Sequence, residues 1–275
     1  MRGGAPLLLL LLLLQPADSG SGSGAGGSGS GLPGWTVDAR TICRDMAQTD
    51  AMYTAAPYPP RDPSAEIKEG EVTVDPKISP AAIAHYLHGG AFPTPPAGRP
   101  YRVLVAGGGT GDATVKYATY LANAGIPAEL VHMDLSSSSI ATAKSRLAAH
   151  KLEDFASLAV HFVEGNLTQL GTALSPLRDL SDDGTEEAHF DFIECRGVLH
   201  HLPSPEDGLA ALSSVLKPEG GMLLMVYGEL GRTGIYHFHE IVRLLEGGGL
   251  QRAPDTARRL LAALPKSNWL VQNEP

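Results

Sequence analysis

The sequence is poor in cysteine, in positive charge and in long apolar runs. Two cysteines among 275 residues, Cys43 and Cys195, exclude a disulfide scaffold and a multi-cysteine zinc site. Lys and Arg number 21 against 30 Asp and Glu, a net charge of −9. This balance disfavours DNA as a partner, because nucleic-acid binders gain affinity mainly by neutralising phosphates. No apolar run reaches the ~20 residues of a membrane-spanning helix, so no membrane span is expected.

Residues 1–31 are predicted to be a targeting leader and a Gly/Ser linker outside the fold. Met1 and Arg2 precede eight leucines, Leu7 to Leu14, a pattern typical of a signal peptide or an organelle-targeting presequence. The Gly/Ser-rich stretch Ser19 to Gly31 has the composition of a flexible linker. The alternative is that this start is a low-complexity segment without a targeting role, in which case a cytoplasmic protein is expected.

Residues 32–100 are predicted to be a helical and Pro-rich extension. Residues 35–55 have a helical pattern, and the prolines between positions 57 and 63 predict an extended, irregular stretch. Ser79 and Pro80 predict a short helix, with Ser79 as its N-cap and Pro80 in its first turn. A second Pro-rich connector then leads into the main domain.

Residues 101–230 alternate between strand and helix patterns. Five strands are predicted, at 102–106, 128–133, 159–163, 190–195 and 222–227. Three helices are predicted between them, at 110–124, 139–150 and 205–216. The last strand is apolar throughout, as in a buried parallel strand. The alternation indicates an α/β fold with an open, mostly parallel, doubly wound sheet, in which ligands bind beyond the carboxyl ends of the strands.

A glycine-rich loop, Ala106 to Gly111, follows the first predicted strand and opens a helix. The absence of a Cβ at Gly107, Gly109 and Gly111 would let a ligand approach the backbone, and the N–H groups at the helix start could hold a carboxylate or phosphate. The G-x-G-x-G spacing differs from the dinucleotide fingerprint, and no Lys follows as in an ATP-binding loop. The alternative is a tight strand-to-helix turn without a ligand.

Asp134 ends the second predicted strand. An acid there is positioned to accept hydrogen bonds from both ribose hydroxyls of a nucleoside. The alternative is that it caps the following helix.

These segments together resemble the class I S-adenosylmethionine-dependent methyltransferases over residues 101–228. The resemblance rests on VLVAGGGTGDAT, VHMDLS, GNL and the block that runs from FDFIECRGVLHHL to LKPEGG. It implies a Rossmann-like methyltransferase fold, S-adenosylmethionine as cofactor, and methyl transfer to a small molecule or a protein side chain. The sequence departs from the family twice: Val105 stands where an acid is frequent, and the turn at residues 218–221 is one residue longer than usual.

The resemblance also implies cofactor contacts for individual residues. Four residues would face the methionine part of the cofactor: Ala106, Gly107, Gly109 and Gly111. Asp134 would bind the ribose, with Leu135 beside the adenine. Asn166 would hydrogen-bond the adenine amino group, and Leu167 would pack on the ring.

Glu194 and Cys195 would end the fourth strand close to the sulfonium. Because the donor is already activated, the protein mainly has to align the acceptor and exclude water, and it needs a base only for a protonated acceptor. His200, His201 and Glu194 are therefore candidate catalytic residues, each with a structural alternative, and no metal site is expected. Three further residues are candidates to line the acceptor pocket: Tyr227, Arg232 and Tyr236.

Residues 231–275 are predicted to be a helical segment, with helices at 236–246 and 255–264. The related sheets normally finish with an antiparallel pair of strands, whereas residues 269–271 could form at most one. Two alternatives follow: the C-terminal strands are supplied differently, or they are missing and the chain is truncated. Two alternatives to a methyltransferase stay open: a catalytically silent cofactor-binding module, and a nucleotide-dependent oxidoreductase.

Overall fold

The computed structural model describes residues 46–69, 80–92, 99–175, 177, 189–228, 230–247 and 253–272. These residues belong to two compact units, one of residues 47–226 and one that combines Met46 with the residues from Tyr227 onward. The predicted leader and linker, and residues 35–45 of the first predicted helix, lie outside the described residues.

The first unit contains a five-stranded parallel sheet, as the strand and helix patterns predict. Its strands are β1 (Tyr101–Ala106), β2 (Ala128–Asp134), β3 (Leu158–Glu164), β4 (Phe190–Arg196) and β5 (Leu216–Met225). The order is β3-β2-β1-β4-β5, and every neighbouring pair is parallel. The chain runs outward from β1 through β2 to β3 and then returns to the other side of β1. The strand order therefore reverses between β1 and β4, where open α/β sheets bind their ligands.

Helices precede the sheet and connect its strands. Those before β1 are α1 (Met46–Ala55), α2 (Pro63–Glu69) and α3 (Pro80–His88). Those between strands are α4 (Asp112–Asn123), α5 (Ser137–Ala149), α6 (Leu170–Ala173) and α7 (Pro205–Ser214). Short 3-10 turns follow β3 at Leu167–Gln169 and β4 at Leu199–His201, and another, Leu152–Asp154, lies between α5 and β3.

The core is built around β1, the central strand. All six of its residues are buried, as expected for a parallel strand with neighbours on both sides. Helix α4 adds Val115 and Leu121, both fully buried, to the same apolar cluster as Val103 and Val105. Packing and two neighbouring strands thus hold the carboxyl end of β1 in place. The glycine loop therefore starts from a rigid part of the fold.

Residues 57–62 are irregular, as the prolines predict, but helix α2 begins at Pro63, where no helix was predicted from the sequence. The Asp62 carboxylate accepts the N–H of Ser64 at 2.8 Å, and the Asp62 carbonyl accepts the N–H of Ala65 at 3.1 Å. Pro63 stands at the first helical position, where its missing N–H costs no helical hydrogen bond. The Asp-Pro pair is a helix-start signal that the surrounding prolines obscured.

Strand β5 is longer and more exposed than predicted. Helix α7 ends at Ser214 rather than 216, and β5 begins at Leu216, with a register shift in its pairing to β4. Leu224 and Met225 are 40% and 39% exposed. The prediction of a fully buried strand is wrong because β5 pairs only with β4 among the described strands.

The second unit is helical where the structure describes it. A short turn, Leu230–Arg232, leads into α8 (Thr233–Leu245), followed by α9 (Ala253–Ala263) and α10 (Trp269–Gln272). Phe238, Val242 and Ala257 form its buried cluster. The strand considered at residues 269–271 is wrong, since this stretch is helical, and residues 230–247 and 253–272 contain no strand. None of the helices described in either unit has the length and apolarity needed to cross a bilayer.

Candidate functional site

The glycine loop needs glycine because of its backbone conformation. Gly107, Gly109 and Gly111 have φ angles of 71°, 54° and 97°, in the left-handed region that side chains disfavour. The N–H groups of Gly107 and Gly108 donate to the Met133 carbonyl at 2.8 and 3.0 Å. These bonds fix the glycine loop against the end of β2. The loops that follow β1 and β2 therefore lie side by side at the carboxyl edge of the sheet.

Each of these glycines is also closely packed by protein atoms. A Cβ at Gly107 would lie 2.2 Å from Val198 Cγ2, and one at Gly109 would lie 2.6 Å from the Tyr58 carbonyl oxygen. A Cβ at Gly111 would lie 2.8 Å from the Cβ of Ala143. Glycine is therefore required at these three positions by contacts with other parts of the protein. The sequence predicted instead that a ligand would occupy this space.

The carboxylate of Asp134 faces the glycine loop. Its Oδ2 accepts the N–H of Gly109 at 2.7 Å, and its Oδ1 accepts the N–H of Ser136 at 2.9 Å. Burial raises the pKa of this carboxyl, and the N–H groups of Ser136, Gly109 and Leu135 lower it in part. Each carboxylate oxygen can accept more than one hydrogen bond, so the group keeps acceptor capacity for ligand hydroxyls. The alternative role as helix cap does not apply, since Ser136 is the N-cap of α5.

The His132 side chain packs against the glycine loop. This contact was not predicted from the sequence. The His132 Nδ1 lies 2.8 Å from the Thr114 hydroxyl, and a Cβ at Gly108 would lie 2.4 Å from ring atom Cε1. The ring is fully buried, and burial lowers its pKa to about 3. Because His132 precedes Asp134 by two residues on β2, both side chains leave the same face of the strand, a signal that was available in the sequence.

We expect the unfolding free energy to fall as the pH drops from 7 to 5.5, in part because of His132. The unfolded chain gains a proton near pH ~6.5, whereas the folded ring resists protonation, so this stability is present above pH ~6.5 and is lost as the pH falls. Urea unfolding at the two pH values, followed by circular dichroism, measures the change. His132→Gln should reduce the pH dependence, whereas His85→Gln, at an exposed position, should keep it. Equal pH dependence in wild type and His132→Gln would show that the ring titrates normally.

The segment after β3 lies beside Asp134. The N–H of Gly165 donates to the Asp134 carbonyl at 2.9 Å. Asn166 caps the next turn, where its Oδ1 accepts both the N–H and the hydroxyl of Thr168 at 3.0 Å. Both acceptor positions of that oxygen are therefore used, and the amide NH₂ group is the part left for a ligand. Leu135 is partly buried and Leu167 is buried.

Glu194 and Cys195 are both buried at the end of β4. The Tyr117 hydroxyl donates to Glu194 Oε2, and Arg196 Nη1 lies 3.9 Å from Glu194 Oε1. This geometry favours a paired, buried carboxylate over a group that contacts an acceptor. Burial raises the pKa of the Cys195 thiol to about 12, so the thiol stays protonated at neutral pH and is a poor nucleophile.

The two histidines after β4 face each other. Their Nε2 atoms lie 3.1 Å apart in the turn Leu199–His201, and His201 is 5% exposed. The ring of Tyr53 meets His201 edge-on, with centroids 6.3 Å apart. The pair stands at the carboxyl end of β4, one strand from the glycine loop. No group of three metal-ligating side chains that could hold an ion occurs in the part of the chain that the structure describes.

The three residues considered for the acceptor pocket lie in the second unit. The Arg232 guanidinium stacks on the Tyr227 ring at 3.8 Å, and Tyr236 is buried. Their role toward an acceptor stays a prediction.

Residues 47–69, which we call the N-terminal segment, also contact the strand-end loops. The Thr110 hydroxyl donates to the Pro59 carbonyl at 2.6 Å. The Ser138 hydroxyl donates to the Thr54 carbonyl at 2.7 Å. This segment therefore lies against the loops that follow β1 and β2, although the sequence suggested a separate extension.

The sheet and its glycine loop match a known family. Residues 104–223 match the family model described as a methyltransferase domain. These residues form a class I S-adenosylmethionine-dependent methyltransferase domain. The resemblance found in the sequence is thereby confirmed, and with it S-adenosylmethionine as the cofactor.

The methyltransferase domain has relatives among curated proteins. A Synechococcus protein described as uncharacterized is 34% identical over 230 residues, which are 82% of this chain and 48% of that protein. The ubiquinone/menaquinone biosynthesis C-methyltransferase UbiE of Ectopseudomonas mendocina is 30% identical over 130 residues, 47% of this chain and 43% of that protein. The chain thus spans about half the length of the curated relatives it matches.

Solved structures also include similar chains. The CMeT domain of the citrinin polyketide synthase is 26% identical with a TM-score of 0.39, covering 53% of this chain and 34% of that one. The glycopeptide N-methyltransferase MtfA, complexed with S-adenosylmethionine, is 20% identical with a TM-score of 0.32, covering 46% of this chain and 48% of that one.

The residues of the methyltransferase domain fit the nucleoside part of this cofactor. The Asp134 carboxylate keeps acceptor capacity for ribose hydroxyls, and it stands beside a loop of left-handed glycines at the reversal of strand order. At the position of the frequent family acid, Val105 is buried in the apolar core. It offers no charge to the cofactor's amino group, which has to find its partner elsewhere.

Proposed function

We propose that this domain transfers the methyl group of S-adenosylmethionine to a small-molecule acceptor, at the carboxyl edge of the sheet between β1 and β4. The observation that carries the proposal is the Asp134 carboxylate, which faces the glycine loop across the ends of β2 and β1. Ligand sites of open α/β sheets lie at such a reversal of strand order.

The N-terminal segment favours a small acceptor over a large one. Its hydrogen bonds to Thr110 and Ser138 hold it against the loops that follow β1 and β2, and from this placement we infer a narrow entrance for the acceptor. UbiE, by its name, methylates carbon in ubiquinone and menaquinone biosynthesis, so that relative acts on small molecules. A flexible protein side chain is the second acceptor class that fits a narrow approach.

Bound S-adenosylmethionine supplies a methyl group activated by a sulfonium, so the protein's task is alignment and exclusion of water. Asp134 and the glycine loop would hold the nucleoside, and Leu135, Asn166 and Leu167 would border the adenine. The histidine pair His200 and His201 would take up a proton from an acceptor that arrives protonated. Glu194 would keep the end of β4 in place through Tyr117.

A labelling experiment tests the acceptor class. The purified chain is incubated with methyl-labelled S-adenosylmethionine and, separately, with the small-molecule and the protein fraction of a cell extract. We expect label in the small-molecule fraction and its loss with Asp134→Ala. Label confined to the protein fraction would contradict the small-molecule proposal and favour a side-chain acceptor.

A catalytically silent binding module is the second candidate function, because Val105 removes a charged cofactor anchor. Tight binding of S-adenosylhomocysteine without transfer to either fraction would favour it. Binding of NAD(P) without S-adenosylhomocysteine would instead favour the oxidoreductase alternative.

A further inference from the structure

A buried cluster of charged side chains joins the N-terminal segment to the glycine loop. Its centre is Arg146 on α5, whose side chain is 0% exposed. Arg146 Nε donates to Glu66 Oε1 at 2.7 Å, and its Nη1 donates to Asp112 Oδ1 at 2.7 Å and to the Thr110 carbonyl at 2.9 Å. One guanidinium thus binds the N-terminal segment, the loop and the first residue of α4.

A second arginine makes the same connection from the other side. Arg61 in the N-terminal segment donates from Nε to Asp112 Oδ1 at 2.8 Å and from Nη2 to Asp112 Oδ2. This two-point contact is the strong, directional form of an Arg–carboxylate pair. His150 completes the cluster, with its Nε2 2.9 Å from Glu66 Oε2.

The cluster holds the part of the loop that shapes the cofactor site. Thr110 and Asp112 flank Gly111, and Thr110 directly follows Gly109, whose N–H donates to Asp134. The Thr110 N–H donates to the Tyr58 carbonyl at 3.4 Å, so the N-terminal segment meets the loop at the backbone as well. A shift of the loop on ligand binding therefore moves the partners of both arginines.

The N-terminal segment reaches the loops after three strands. Besides Thr110 after β1, it touches the loop after β2, where the Thr54 hydroxyl lies 3.4 Å from that of Ser136. Tyr53 adds the ring contact to His201 after β4. The segment therefore borders the carboxyl ends of β1, β2 and β4.

We propose that Arg61 and Arg146 are positioning residues that clamp the N-terminal segment over the glycine loop, so that closure of the segment and binding of the cofactor stabilise each other. The inference rests on the proposed function. Breaking one contact of a buried ion cluster leaves an uncompensated charge, which favours a fully made clamp over a partly made one. Coupling between two binding events is reciprocal. If contact with the N-terminal segment holds the glycine loop in the conformation that binds the cofactor, bound cofactor must in turn stabilise that contact.

Arg61 is the residue to test, because its side chain is 19% exposed whereas removal of the fully buried Arg146 endangers folding. Hydrogen exchange of residues 53–66 is measured in wild type, Arg61→Gln and Arg61→Lys, with and without S-adenosylhomocysteine, and the dissociation constant is measured by calorimetry. Lys217→Gln is the matched control: it removes a cation bonded to Asp191, near the opposite end of the sheet.

We expect S-adenosylhomocysteine to slow the exchange of residues 53–66 in wild type. Arg61→Gln should speed this exchange without ligand and raise the dissociation constant about tenfold. Arg61→Lys keeps the positive charge but loses the two-point contact with Asp112, so its exchange rate and dissociation constant should be intermediate. Lys217→Gln should match wild type in both. If wild type binds S-adenosylhomocysteine but Arg61→Gln changes neither exchange nor affinity, the clamp is refuted and the proposed function stands. If wild type binds none, the proposed function fails and the coupling fails with it.

Discussion

Asp134→Ala should weaken binding of S-adenosylhomocysteine by ~1–3 kcal/mol, or about 5- to 150-fold in the dissociation constant. The substitution removes the carboxylate oxygens left for the ribose hydroxyls. It also removes the acceptor of the Gly109 N–H, so the loop loses a contact that fixes its shape. Isothermal titration calorimetry on the folded variant measures the change.

Glu164→Ala is the matched control for Asp134. Glu164 is in register with Asp134 on the neighbouring strand β3, at the same edge of the sheet, and it is exposed. Its loss should leave the affinity close to that of wild type. An effect of equal size in both variants would mean that general negative charge at this edge, rather than one carboxylate, holds the ligand.

Gly109→Val should reduce S-adenosylhomocysteine binding by about 100-fold or more, which corresponds to ~3 kcal/mol. At a φ of 54° a β-branched residue is strained. Its Cβ would also lie 2.6 Å from the carbonyl oxygen of Tyr58, a backbone atom that cannot swing aside. The loop and the N-terminal segment have to separate, so both faces of the site are disturbed. Calorimetry and a thermal unfolding scan report the two effects.

Gly125→Val separates strain from the steric clash. Gly125 has a φ of 66°, but no atom lies within 4 Å of the Cβ it would carry. This variant should lose some stability, in line with backbone strain, and should keep its affinity for S-adenosylhomocysteine. If Gly109→Val also keeps wild-type affinity, the loop does not form the cofactor site.

The sequence predicted the parts of the fold that depend on local patterns. Five apolar strand patterns, with helices between them, were enough for a parallel sheet, and the glycine loop and Asp134 marked its ligand edge. The same local cues misjudged β5, because exposure of an apolar strand depends on whether a further strand pairs with it. The strand considered at residues 269–271 was wrong for a different reason, because a short apolar run suits a helix as well as a strand.

Contacts between distant residues were out of reach of these patterns. Arg146 bonds to Glu66 across 80 residues and to Asp112 across 34, and nothing local distinguishes Arg146 from a surface arginine. The packing of Tyr58 on Gly109 depends likewise on the tertiary path of the N-terminal segment. The sequence therefore predicted the part of the candidate site that the strand-end loops form. It did not predict the part that the N-terminal segment forms.

A crystal structure of the chain with S-adenosylhomocysteine would show whether the Asp134 carboxylate binds the ribose. We expect the ribose hydroxyls to lie within hydrogen-bonding distance of this carboxylate, about 2.6–3.0 Å. The nucleoside should lie at the carboxyl edge of β1 and β2, against residues 107–111. A bound nucleoside with its ribose away from Asp134, or a ligand at another face of the sheet, would show that Asp134 and the glycine loop do not form the cofactor site.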